Sequence, residues 1–152
     1  MKAIVTGGAG FIGSNLVDKL LSLNYDVVVI DNESSDAHDK FYWNEKSDNH
    51  KLDICDYENI RPLFKEAGVK RVIYSSTSSA YGLSNDIPNT ETMQKDCLNP
   101  YSVTKVGGEE LCKMYTDLFG LETVFFRYFN VYGERQPIKG QYAPVIGIFI
   151  RQ

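Results

Sequence analysis

The sequence predicts an α/β fold, a doubly wound parallel sheet with helices on both faces. Three observations carry this expectation. Strand-like and helix-like segments alternate along the chain with short connections. A glycine-rich turn, Thr6-Gly7-Gly8-Ala9-Gly10-Phe11-Ile12-Gly13, joins the first strand to the first helix. An acidic residue, Asp31, closes the second strand 18 residues after Gly13.

Taken in order, Lys2–Thr6 is a short run with β-branched residues and reads as the first strand. From Phe11 to Leu23, Ile12, Leu16, Leu20 and Leu23 recur at helical spacing on one face. Asp26–Ile30 is a continuous apolar run after its first residue, as a strand covered on both faces requires. The polar stretch that follows carries one aromatic cluster, Phe41-Tyr42-Trp43, read as packing. Lys51–Ile54 reads as a short strand, and a helix then runs to Gly68. Pro62 puts the start of that helix near Asn59 or kinks it. Lys70–Ser76 is a further strand, and residues 80–98 are loop-like. Asn99-Pro100 opens a long helix as N-cap and first helical residue, Leu111, Met114 or Tyr115, and Leu118 share one face, and Gly120 closes it. Leu121–Phe126 is the last strand, and residues 142–152 begin an amphipathic helical pattern.

Composition bounds the function. The chain has 152 residues, 43% of them apolar and 24% charged, which is ordinary for one globular domain and excludes disorder. Sixteen basic against twenty acidic residues give a net charge of −4, with no basic cluster to grip a nucleic-acid backbone. No apolar run reaches the ~20 residues that span a bilayer, and no leader pattern opens the chain. The expected location is therefore the cytoplasm. The three cysteines have no metal-ligand spacing and read as reduced thiols. His38 and His50 read as surface residues, and no metal site is expected.

The glycine turn reads as G-x-G-x-x-G from Gly8, in the required context of a preceding strand and a following amphipathic helix. Glycines let backbone N–H groups approach a pyrophosphate, and the helix N-terminus adds partial positive charge. Asp31 is placed to hydrogen-bond ribose hydroxyls and repel a 2′-phosphate, which favours NAD over NADP. The fold is therefore expected to be of the Rossmann type. Tyr101 and Lys105 lie four apart at the start of the long helix, on one face. A nearby ammonium favours phenolate, so Tyr101 becomes a candidate proton-transfer residue.

With these motifs in hand, the chain resembles the extended short-chain dehydrogenase/reductases, specifically the nucleotide-sugar epimerases. The matching stretches are TGGAGFIGSNLVDKLL, Asp31-Asn32, LDICD, VKRVIYSSTSSAYG, NPYSVTK and RYFNVYGERQ, in the family's order. The resemblance implies that Gly7, Gly10, Phe11, Ile12 and Gly13 form the pyrophosphate turn, that Asp31 and Asn32 contact the adenosine ribose, and that Asp53 and Ile54 contact the adenine. It implies that Thr77 hydrogen-bonds the reacting sugar oxygen and that Tyr101 is the base and also contacts the cofactor. Lys105 would bind the nicotinamide ribose and tune that tyrosine, and Phe129 and Asn130 would flank nicotinamide and sugar. Read without the resemblance, Thr77 is a strand-end cap, Phe129 packs, and Asn130 caps a turn.

The resemblance also implies an NAD-dependent UDP-sugar 4-epimerase, with a homodimer admissible. Ser78-Ser79 after Thr77 offer no carboxylate for the family's dehydratase or decarboxylase chemistry. Gly140–Ile146 is similar to epimerases of UDP-N-acetylhexosamines. Two departures stand out. Leu63–Glu66 runs directly into Ala67–Lys70, where the family has a further strand and helix, so the fold is expected to be shortened by one β-α unit. The family's substrate domain is also absent, so residues 1–152 are expected to be an incomplete NAD-binding domain. With one unit gone, a single sheet of five strands is expected, with Lys70–Ser76 moved in beside Lys2–Thr6. The alternatives are a silent NAD-binding fragment and an interaction remnant.

Overall fold

The computed structural model describes residues 1–83 and 87–137, together with Phe149. Among them the elements run β1 (Lys2–Thr6), α1 (Phe11–Ser22), β2 (Asp26–Asp31), β3 (Asp48–Lys51), α2 (Tyr57–Ala67), β4 (Arg71–Thr77), a 3₁₀ turn (Ser78–Tyr81), α3 (Pro100–Phe119) and β5 (Glu122–Tyr128). The alternating α/β order with parallel pairing is the one expected. The chain divides into two compact units: Met1–Val69 with the residues from Tyr132 onward, and Lys70–Val131.

In the first unit the sheet order is β1-β2-β3, all parallel, with Lys2 opposite Asp26 and Val28 opposite Asp48. The central strand is buried from Val27 to Asp31. Val5, Val17, Val27 and Val29 form the core, and Leu20, Leu21, Tyr25 and Trp43 close over it. The apolar stripe read along α1 is only partly its inward face: Leu20 packs on the core and Ser14 and Val17 are buried, whereas Ile12, Leu16 and Leu23 are about half exposed. The reason lies at Gly13, where a Cβ would come within 2.1 Å of the Gly7 carbonyl oxygen. The helix backbone rests on the turn itself, so the small residues Gly13 and Ser14 face inward.

Two boundaries move. The third strand is Asp48–Lys51, earlier than Lys51–Ile54, because pairing with Val28–Asp31 selects it over the local apolar pattern. Helix α2 begins at Tyr57 and continues through Pro62, with Asp56 as N-cap and Gly68 as left-handed C-cap at φ 57°. None of its residues is fully buried.

In the second unit β4 and β5 pair in parallel from Arg71–Glu122 to Thr77–Tyr128, and α3 packs across both. Asn99 and Ser102 form a capping box, Pro100 opens the helix, and Gly120 at φ 67° ends it, as read. The buried face of α3 again differs from the stripe read in the sequence. Ser102, Glu109 and Cys112 are buried, whereas Leu111, Met114, Tyr115 and Leu118 are exposed. At Gly108 a Cβ would meet the Tyr74 hydroxyl at 2.3 Å, so the small side of α3 lies against β4.

A single five-stranded sheet is not formed among the described residues. β1 pairs with β2 alone and β4 with β5 alone, so β4 does not move in beside β1. Unpaired backbone groups are costly only where water cannot reach them. In β1 only Val5 is buried, which limits that penalty along the strand. Most of the segments read at 140–146 and 142–152 lies outside the described residues.

Candidate active site

The residues expected on the nucleotide side all belong to the first unit. Gly7 adopts φ 65°, which favours glycine, and its N–H donates to the Ile30 carbonyl at 2.8 Å. A Cβ at Gly8 would meet the Val29 side chain at 2.6 Å, so the turn leaves no room for side chains beneath it. Gly10 caps α1 without a side-chain hydrogen bond, and the first helical turn carries no acidic residue. The positive end of α1 is therefore not neutralised from within, the condition for anion binding at a helix N-terminus. Phe11 is half-buried at this end and Ile12 more exposed, with Gly13 behind them.

Asp31 is buried, and its carboxylate accepts N–H bonds from Ala9 at 3.0 Å and Glu33 at 2.8 Å. It thus ties the turn to the end of β2. Each oxygen keeps a second lone pair that a ribose hydroxyl could use. Asn32 donates to Asp53 at 2.8 Å, which brings the two expected adenosine-side residues together. The Cys55 backbone N–H and then the Asn32 amide hold the Asp53 carboxyl below its ordinary value. Ile54 beside it is 60% exposed and offers an apolar surface. A turn that only glycine can make, an open helix terminus and an acid with spare lone pairs fit a dinucleotide. His38, expected on the surface, stands beside this turn. It is half-buried, its Nε2 lies 3.4 Å from where a Gly10 Cβ would stand, and its ring packs edge-on against Phe41.

Thr77, Tyr101, Lys105, Phe129 and Asn130 belong to the second unit. Tyr101 is half exposed in the first turn of α3. The Lys105 ammonium lies 5.8 Å from the Tyr101 ring centre and 5.4 Å from that of Tyr74, and donates to the Ser75 carbonyl at 2.9 Å. The pair is thus assembled with its lysine tethered to β4. Thr77, buried at the end of β4, donates to the Ser79 hydroxyl and accepts from the Ser79 N–H, both at 3.2 Å. It caps the 3₁₀ turn, and its hydroxyl would have to leave Ser79 to donate elsewhere. Phe129 is exposed but stacks on buried Tyr81 with ring centres 6.2 Å apart, and Asn130 is exposed.

Between these residues lies a charged cluster that the motifs did not announce. Glu109 is fully buried and accepts from Nε and Nη2 of Arg127, at 2.9 and 2.8 Å, and from the Ser76 hydroxyl at 2.5 Å. Lys95 stands 3.5 Å away. Burial alone would raise the Glu109 carboxyl, but hydrogen bonds from Arg127 and Ser76 and the charges of Arg127 and Lys95 outweigh it and hold it at about 2. Hydrogen bonding to Glu109 pushes the Arg127 guanidinium up in turn. The available signal was spacing: Tyr101, Lys105 and Glu109 recur every four residues on one helical face. Among the described residues no three His, Cys, Asp or Glu side chains are placed to hold a metal, and no helix is long and apolar enough to cross a membrane.

Comparison with known proteins gives this arrangement its family. Residues 63–152 match the NAD-dependent epimerase/dehydratase family, and residues 4–74 match GDP-mannose 4,6-dehydratase. The chain belongs to the NAD-dependent epimerase/dehydratase family. Among its relatives, a putative UDP-glucose 4-epimerase of Methanocaldococcus jannaschii is 34% identical across 97% of this chain and 61% of its own length. The structure of UDP-glucose 4-epimerase with UDP-glucose from Thermotoga maritima superposes with a TM-score of 0.88 at 30% identity, covering 98% of this chain and 62% of the other. UDP-N-acetylglucosamine 4-epimerase from Methanobrevibacter ruminantium, in complex with UDP-N-acetylmuramic acid, gives 0.84 at 30% identity, covering 99% and 63%. The chain thus spans about three fifths of the length of these epimerases. The alignment with the Methanocaldococcus relative runs over 187 positions against a chain of 152 residues, so at least 35 positions of this relative have no counterpart here. The two family matches meet at residues 63–74, and the two compact units divide after Val69, the point where the missing β-α unit was read.

Proposed function

We propose that this chain carries the NAD-binding turn and the proton-handling residues of a nucleotide-sugar 4-epimerase acting on UDP-sugars. The observation that carries the reading is the second unit's assembly of Tyr101, Lys105 and Thr77 around the carboxyl end of β4. Ligands bind at that end in open α/β sheets.

Bound NAD supplies the hydride acceptor and donor. Gly7, Gly10 and Gly13, with the open end of α1, hold the pyrophosphate. Asp31 holds the ribose, and Asn32, Asp53 and Ile54 flank the adenine. Tyr101 takes the proton of the sugar 4-hydroxyl on oxidation and returns it on reduction. Lys105 holds its charge beside that phenol, and Thr77 turns its hydroxyl from Ser79 to the reacting oxygen. Phe129 and Asn130 border the sugar. Ser78 and Ser79 supply no carboxylate, which speaks for epimerisation over elimination or decarboxylation.

A second reading, NAD binding without turnover, draws on the 35 or more unmatched positions. The test is interconversion of UDP-glucose with UDP-galactose, and of their N-acetyl analogues, beside an NAD titration. Interconversion is the expected result. NAD binding without it leaves the second reading, and absence of NAD binding overturns both.

A further inference from the structure

We propose that the buried Glu109–Arg127 pair is a positioning device that sets Thr77 and the carbonyl tethering Lys105. The inference rests on reading Thr77, Tyr101 and Lys105 as the proton-handling set. Three elements meet at the pair: Ser76 of β4 lies directly opposite Arg127 of β5 in the sheet, and Glu109 of α3 bridges the two. Ser76 is also the link between the two residues that matter. Its neighbour Ser75 offers the carbonyl that accepts from Lys105, and its other neighbour is Thr77. A strand residue pinned through its side chain fixes the peptide groups on either side, since only two soft dihedrals separate them.

The pair reaches the sugar side as well. The Arg127 guanidinium lies 4.9 Å from the centre of the buried Tyr81 ring, on which Phe129 stacks. The choice of chemistry supports a geometric role. A buried ion pair gives little net stability over well-packed apolar residues, but a two-point Arg–carboxylate contact fixes direction as well as distance. Catalysis is sensitive to misplacement of about 1 Å, so a tether of this kind acts on turnover more than on binding.

The experiment uses the full chain. Ser76→Ala cuts the link while leaving the ion pair intact, Glu109→Gln removes its charge, and Ser76→Thr keeps the hydroxyl. Asp117→Asn, an exposed residue of the same helix, is the control. In the epimerase assay Ser76→Ala is expected to lower kcat about ten- to hundredfold with KM within about twofold, while Ser76→Thr retains turnover. A raised KM at unchanged kcat, or an unchanged kcat, overturns the proposal. Should the parent chain not turn over, the epimerase reading fails, and side-chain NMR signals of Lys105 and Tyr101 decide the positioning role separately. Ser76→Ala is expected to shift both and Asp117→Asn neither. Signals that stay in place in Ser76→Ala overturn the proposal, and this arm stands even if Glu109→Gln does not fold.

Discussion

β2 of the first unit and the β4–β5 pair of the second are all parallel strands with an unbroken apolar run, yet they are buried differently. Val27 to Ile30 are each at most 4% exposed. In β4 and β5 exposure alternates, leaving Ile73 at 63%, Val124 at 39% and Phe126 at 47% on one side. A continuous apolar run marks a strand suited to cover on both faces. Neighbouring elements decide whether it receives that cover. The means of attachment differ too: α1 is held to its sheet by hydrocarbon contacts around Val17, whereas α3 is held by Glu109, Arg127 and Ser76.

The sharpest test of this contrast is a division of labour. Tyr101→Phe should cost about 10²- to 10⁴-fold in turnover with a far smaller change in NAD affinity, read by kinetics beside a cofactor titration. Next, Glu109→Ala strands Arg127 as a buried unpaired charge and should cost about 3–5 kcal/mol in urea unfolding. The same group gives the second unit an acid sensitivity. Its folded-state carboxyl, at about 2, lies below the ordinary 4.5. Its contribution is therefore complete above pH 4.5 and is lost as pH falls through about 2. Glu109→Gln should flatten the stability profile in that window.

Asp31→Asn loses a charged hydrogen-bond acceptor in the first unit and should weaken NAD by roughly tenfold or more while narrowing its advantage over NADP, measured by isothermal titration. The smallest effects separate the two sheets directly. Val29→Ala should cost about 1–2 kcal/mol because it empties packed space. Ile73→Ala should cost under about 0.5 kcal/mol, since its side chain is mostly in water. Equal losses at the two sites would erase the distinction.

What the sequence discloses follows the same physics. The glycine turn and the ends of α3 are legible because Gly7, Asn99, Pro100 and Gly120 act on their own backbone or the adjacent turn. The inward faces of α1 and α3 are not. Both helices approach their sheets through small residues, Gly13 and Gly108, which an apolar stripe does not mark. β3 is hidden for a related reason: Asp-Asn-His-Lys has no strand pattern, and only the register with Val28–Asp31 makes it one. The Tyr101/Lys105 pair announces itself by spacing, whereas the Ser76–Glu109–Arg127 contact needs three segments folded together.

The bond between Arg135 and Asp18, 2.6 Å long, also ties together residues 117 apart in the chain. At a synthesis rate of about 5–20 residues per second, the ribosome makes Asp18 roughly 6–23 seconds before its partner. During that interval the whole of Lys70–Val131 is synthesised, a continuous stretch that contains its own crossover. The first unit to begin is therefore the last to close, and the nascent protein passes through a stage in which Asp18 of α1 waits for the returning chain.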